Sequence, residues 1–89
     1  MASASDIQAT ETTDEFVHVR FRDPDEFDTI RTPDWARNVA ESVSEGSEVR
    51  MGKRKGSDDW EVQSVLIEKH VGEDEAREQA TKIVEKIRD

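Results

Sequence analysis

The stretch "SEVRMGKRKGSDDWEVQSVLIEK", residues 47–69, restricts the fold more than any other part of the chain. Two runs carrying Val, Met, Trp, Leu and Ile flank "KGSD", a polar segment with a glycine, and that is the pattern of a β-hairpin. Side chains alternate between the faces of a strand, so a slip of one residue moves every apolar group to the wrong side. Setting Arg54 opposite Asp59 places Met51 opposite Val62 and Val49 opposite Ser64, and lays Trp60 beside the stem of Lys53. That register keeps the apolar residues together.

A third strand precedes the hairpin. In "FVHVRFRD", Val17, Val19 and Phe21 share one face while His18, Arg20 and Arg22 share the other. Pro24 has no N–H to give a sheet and ends it. "DPDEFDTI" then reads as a loop whose Phe27 and Ile30 fold back onto the core. Residues 1–14 are rich in Ser, Thr and Ala and contain Asp6, Glu11 and Asp14 and no base, with too little apolar material to offset the entropy of ordering. They are expected to form a disordered acidic tail ahead of a single domain over residues 15–89.

Two segments carry helix signals. "TPDWARNVAESVSEG" offers Thr32 as N-cap, Pro33 at the first helical position, Asp34 at the positive end and Gly46 as the stop. Trp35, Val39, Ala40 and Val43 make its apolar stripe, which predicts that Trp35 lies in the core, with a ligand wall as the weaker alternative. "GEDEAREQATKIVEKIRD" repeats the pattern with Ala76, Ala80, Ile83, Val84 and Ile87, acids in its first turn and bases in its last.

The resulting order is β-α-β-β-α. The strand with the most apolar run, "VQSVLI", belongs in the middle of the sheet. A right-handed crossover then gives an α+β two-layer sandwich: a three-stranded sheet in the order 2-3-1, with both helices on one face.

Composition describes the surroundings of this domain. Of the 89 residues, 22 are acidic and 13 basic, for a net charge of -9, and hydrophobic residues make up only 33%. Such a surface suits concentrated salt, where repulsion among carboxylates is screened within a few Å. The pattern predicts halophilic adaptation, with an ordinary acidic protein as the alternative. The absence of cysteine fits a cytoplasmic protein. "MASASDIQATETTDE" has neither a basic leader nor an apolar run, so export by a signal peptide is not expected. No apolar stretch is long enough to span a membrane.

Against that acidity, Arg50, Lys53, Arg54 and Lys55 crowd into one short stretch. With both helices on one side of the sheet, the other side is open. Alternation assigns to it Phe16, His18, Arg20 and Arg22, then Arg50, Gly52 and Arg54, then Glu61, Gln63, Val65 and Ile67. One reading is internal charge matching, with Arg54 facing Asp59 and Arg50 diagonal to Glu61. The other is a partner-binding face formed by Phe16, His18, Arg20, Arg22, Arg50, Arg54, Gln63, Val65 and Ile67. Arginine among apolar residues marks interface cores, which favours a protein partner or a second copy of the chain. Nucleic acid is the weaker alternative, because the rest of the surface would repel a polyanion and only Phe16 could stack on a base.

Nothing assembles an enzyme. There is no cysteine nucleophile, no Ser/His/Asp arrangement and no Gly-rich phosphate loop, and His18 and His70 read as surface residues. No catalytic residue and no cofactor is expected. Asp23, Asp25, Glu26 and Asp28 in "DPDEFD" lack the glycine and distal glutamate of a calcium loop, so no metal site is expected either.

"RFRDPDEFDTIRT", "GKRKGSDDWEVQSVLIEK" and "EDEAREQA" together resemble a small module of phage and prophage proteins, over most of residues 19–85. The longer helix "PDWARNVAESVSEG" departs from that module. The chain as a whole resembles the short acidic proteins of halophilic archaea. Neither resemblance implies an activity or site residues. The first implies that "GKRKG" belongs to a hairpin.

Overall fold

The computed structural model describes residues 7–56, 58 and 60–88, the side chains of Arg54 and Arg88 excepted. Among them the chain runs β1 (Ala9–Thr12), β2 (Phe16–Arg20), β3 (Phe27–Arg31), α1 (Asp34–Val43), β4 (Glu48–Arg54), β5 (Trp60–Glu68) and α2 (Glu73–Arg88). Single 3-10 turns at Pro24–Glu26 and Lys69–Val71 join β2 to β3 and β5 to α2. The sheet order is β1-β2-β5-β4-β3, with every neighbouring pair antiparallel.

The architecture is α+β with two helices, but the expected three-stranded sheet is corrected to five strands. The three anticipated strands lie side by side as β2-β5-β4, and two short edge strands extend them. β1 falls in the segment expected to be tail. Its residues supply little apolar surface and are held by the ladder to β2, with Gln8 N donating to Arg20 O at 2.7 Å. Residues 1–6 of that expected tail lie outside the described residues. β3 falls in the expected loop. The chain leaves β2 after Arg20, passes through a 3-10 turn that begins at Pro24 and is capped by Asp23, and then Phe27–Arg31 pair with β4. A register shift between Phe27 and Thr29 breaks the alternation that would have announced the strand.

Both helices cover one face. Val17, Val19, Val49, Met51, Val62, Val65 and Ile67 from the sheet pack with Ala36 and Ala40 of α1 and with Ala76, Ala80, Ile83 and Val84 of α2. The four alanines are fully buried, which lets the helix backbones approach the sheet and each other closely. Ala40 and Val43 of the expected α1 stripe lie in or against this core, but its first position is corrected. Ala36 takes the place of Trp35 at the core, and Trp35 is 53% exposed. The N-cap position is Pro33, without a side-chain cap, so Thr32 does not cap the helix.

The hairpin register follows the expectation only near its tip. Met51 pairs with Val62, Gly52 with Glu61 and Lys53 with Trp60, but Val49 pairs with Val65 instead of Ser64. Between Arg50↔Ser64 and Met51↔Val62 one residue of β5, Gln63, has no opposite number. This is a β-bulge: one extra residue on one strand, after which the alternation resumes one step out of phase. From Ser64 onward every side chain of β5 therefore lies on the face opposite to the one anticipated. Val65 and Ile67 point under the helices and are fully buried.

Gly52 marks a close approach on the helix-free side. A Cβ there would lie 2.5 Å from the Thr29 carbonyl oxygen and 2.8 Å from Phe27 Cδ1. Phe27, 7% exposed, lies across that glycine. Because a backbone atom blocks the space, Gly52→Ala is expected to destabilise the fold by about 1–3 kcal/mol through overpacking. Urea unfolding with an unchanged m-value and a lower midpoint would register it.

Candidate functional site

Cross-strand pairing decides what the helix-free face presents. β1 contributes Glu11, opposite His18, and Ala9, opposite Arg20. β2 contributes Phe16, His18 and Arg20, opposite Glu68, Leu66 and Ser64 of β5. β4 adds Glu48 and Arg50, opposite Leu66 and Ser64, and then Gly52, opposite Glu61 and Ile30. Of the residues expected here, Phe16, His18, Arg20 and Arg50 lie together on the face. Val65 and Ile67 do not, and Leu66, 3% exposed, occupies the position that either was to fill. Arg54 is paired in β4 with Phe27, but its side chain lies outside the described residues, as does Asp59. The expected Arg54–Asp59 match therefore lies outside them too.

Gln63 is 3% exposed and works inside the protein. Its Nε2 donates to Arg22 O at 2.9 Å, and its Oε1 accepts from Ser64 Oγ at 2.8 Å. Its own carbonyl accepts from Phe21 N at 2.9 Å and Arg22 N at 3.2 Å. These bonds tie the end of β2 to the bulge. Gln63 is a structural clamp and contributes no accessible group to the face.

The arginines divide by partner. Arg20 bonds Glu11 at 3.3 Å and Arg22 meets Glu61 at 3.6 Å. Glu61, expected near Arg50, is thus engaged by Arg22. Arg50 is exposed and makes no ion pair among the described residues. Internal charge matching accounts for two of the three described guanidinium groups. Beside them His18 is half-buried. Desolvation first, then the positive fields of Arg50 and Arg20, hold its pKa below the ordinary 6.5, and Glu11 opposes the shift.

A second feature lies at one end of the helix layer. Trp35, in the first turn of α1, and Trp60, the first residue of β5, are both exposed and wall two adjoining hollows. One, of about 340 Å³, is completed by Met51, Glu61, Val62 and Ile87. The other, of about 370 Å³, is completed by Arg31, Thr32 and Pro33. Lys53 Nζ stands 5.2 Å from the centroid of the Trp60 ring, so part of the basic stretch serves this cleft. Sequence reasoning favoured the core for Trp35 over a ligand wall and did not bring Trp35 and Trp60 together. The available signal was positional: both tryptophans stand at the first turn or first residue of an element, where the covering layer runs out.

The acidic "DPDEFD" segment is occupied with local structure. Asp23 Oδ1 accepts from Asp25 N at 2.9 Å, and Glu26 Oε2 accepts from Asp23 N at 3.2 Å, closing a capping box. Among the described residues no helix is long and apolar enough to cross a membrane.

No family model, no curated protein and no solved structure matches the chain. The site is therefore read from its own geometry.

His18 makes the fold sensitive to pH. Its folded pKa is lowered, so between that value and 6.5 the unfolded chain binds more protons than the folded one. The stability it contributes is complete above 6.5 and is lost as pH falls toward the folded pKa. Urea midpoints should drop on acidification from neutral pH, and His18→Gln should flatten that slope.

Proposed function

We propose that the protein is a non-enzymatic, cytoplasmic, salt-adapted association module whose helix-free sheet face pairs with a second copy of the chain. The observation that carries this reading is the charge balance of that face. Glu11, Glu48, Glu61 and Glu68 stand there against Arg20, Arg22 and Arg50, in a chain of net charge -9. Another body of the same charge meets a nearly balanced surface there, so its approach is opposed by little repulsion.

A two-fold contact buries the same patch on both partners, so the patch must complement itself. A face carrying both signs meets that condition. Arg50 has no carboxylate of its own among the described residues and stands one strand position away from Glu48 on the same side. Across a two-fold axis it would meet a carboxylate of the other copy. Phe16 and Ile30 supply apolar area, and a neutral His18 adds no charge that must be desolvated. Arginine loses less hydration than lysine in such a contact.

Nucleic acid is disfavoured by the same inventory. Arg20 and Arg22 are held by Glu11 and Glu61, which among the described side chains of the face leaves Arg50 to meet phosphate in a strongly acidic chain. The salt responses also oppose each other. Screening at about 1 M shortens the Debye length to about 3 Å and relieves repulsion between two acidic copies, whereas phosphate contacts weaken as salt rises. The resemblance to short acidic haloarchaeal proteins agrees with an assembly that needs salt.

Molar mass by light scattering tests the reading. The wild type should be a dimer in molar KCl and dissociate at low salt. Arg50→Glu should raise the dissociation constant at least about tenfold, a loss of about 1.4 kcal/mol. The exchange Arg50→Glu with Glu48→Arg should recover most of that loss. A monomer under all conditions would reject the proposal.

A further inference from the structure

The Trp35–Trp60 cleft lies apart from the sheet face and owes nothing to pairing there. Each hollow is near the lower end of small-molecule sites, which run from about 300 to 1,000 Å³ and combine apolar walls with a few polar groups. The walls are indole rings, and Met51, Val62 and Ile87 form an apolar floor. Such a surface takes a flat ring.

The charges around it have a definite sign. Glu61 is engaged by Arg22 at 3.6 Å, and Asp34, beside Trp35, is engaged by Arg37 at 3.8 Å. Arg31 and Lys53 have no carboxylate partner among the described residues. Among the described side chains that line or adjoin it, the cleft therefore carries two cations that no carboxylate engages. Lys53 also places its ammonium over Trp60, and a ring already holding one cation is a poor host for another. This disfavours the quaternary ammonium ligands that paired tryptophans often take. It favours an electron-rich ring with a negative substituent.

We propose that this cleft binds a small planar aromatic anion, its ring stacked on the indoles and its phosphate or carboxylate reaching Arg31 and Lys53. A single-stranded nucleic acid would need a continuous basic groove following its backbone. Arg31 lines one hollow and Lys53 stands over Trp60, and two such cations suit a single anionic group.

The chain contains two tryptophans and no tyrosine, so fluorescence excited at the indole edge reports from the cleft alone. Adenosine monophosphate and phenylacetate probe the phosphate and carboxylate sources of the ligand, with adenosine and phenylacetamide as their uncharged counterparts. At least one anion should change the emission saturably at millimolar concentration, and its counterpart should bind about three- to tenfold more weakly, as exposed ion pairs allow. Which anion saturates identifies the source. Arg31→Gln should erase that preference while ring binding persists, and Trp35→Phe should weaken both. Trp35 is outside the core, so circular dichroism should show these variants folded. Lack of saturation by either anion, or equal binding of anion and counterpart, would overturn the proposal. Saturation by oligo(dT) alone would also overturn it, in favour of a polymer site.

Discussion

The bulge at Gln63 is the constraint on which the rest of the sheet depends. β5 is the central strand and must present apolar residues to the helices along its whole length. Its sequence offers Val62 on one parity and Val65 and Ile67 on the other. No unbroken strand can bury all three on one side. Inserting one unpaired residue between Val62 and Ser64 reconciles them, and all three join the same core. The cost is a backbone position that has lost its ladder partner in β4. Gln63 answers it with bonds to the end of β2, each worth about 0.5–1.5 kcal/mol net. Because Phe21 and Arg22 are held there, the chain leaves β2 at a fixed point and can reach the far edge as β3.

The helix layer obeys a size constraint. With 33% hydrophobic residues the protein cannot fill a deep core, so it brings its layers close. Ala36, Ala40, Ala76 and Ala80 make this possible, and larger side chains at those positions would hold the helices off the sheet. The same close packing displaces Trp35. A side chain of that size fits only at the margin, where α1 begins and the end of α2 is near, and there it meets Trp60. The exposed cleft thus follows from a core built with alanine.

Much of this was legible in the sequence. The alternation of "FVHVRF", the hairpin and the two helices follow from apolar periodicity, because each carries enough regularly spaced apolar residues to mark its element despite the bulge in the hairpin and the exposed Trp35 on α1. The edge strands were not legible. β1 is held by backbone bonds and the Arg20–Glu11 pair more than by apolar burial, and periodicity detects only burial. β3 is only five residues long and is interrupted by its own register shift. The bulge was equally hidden. In "VQSVLI" a regular strand turns two apolar residues inward in either phase and the bulged one turns three, a difference of one residue that period-two alternation does not reveal. Only pairing with both β2 and β4 decides between them. Placement of Phe16, His18, Arg20 and Arg50 on the helix-free face survived because none of them lies beyond the bulge.

The basic stretch "RMGKRK" can now be resolved strand position by strand position. β4 sends Arg50 to the helix-free face and Lys53 to the helix side. A cluster that looks single in the sequence is therefore split across the thickness of the sheet. Arg50 enters a surface where carboxylates and guanidinium groups are nearly balanced, and Lys53 enters an aromatic cleft where acids are already engaged. Each face receives a cation at the place where the acidic chain leaves least opposing charge. Alternation in β4 thus converts one run of bases into two separate electrostatic environments, and a substitution in either can be examined without disturbing the other.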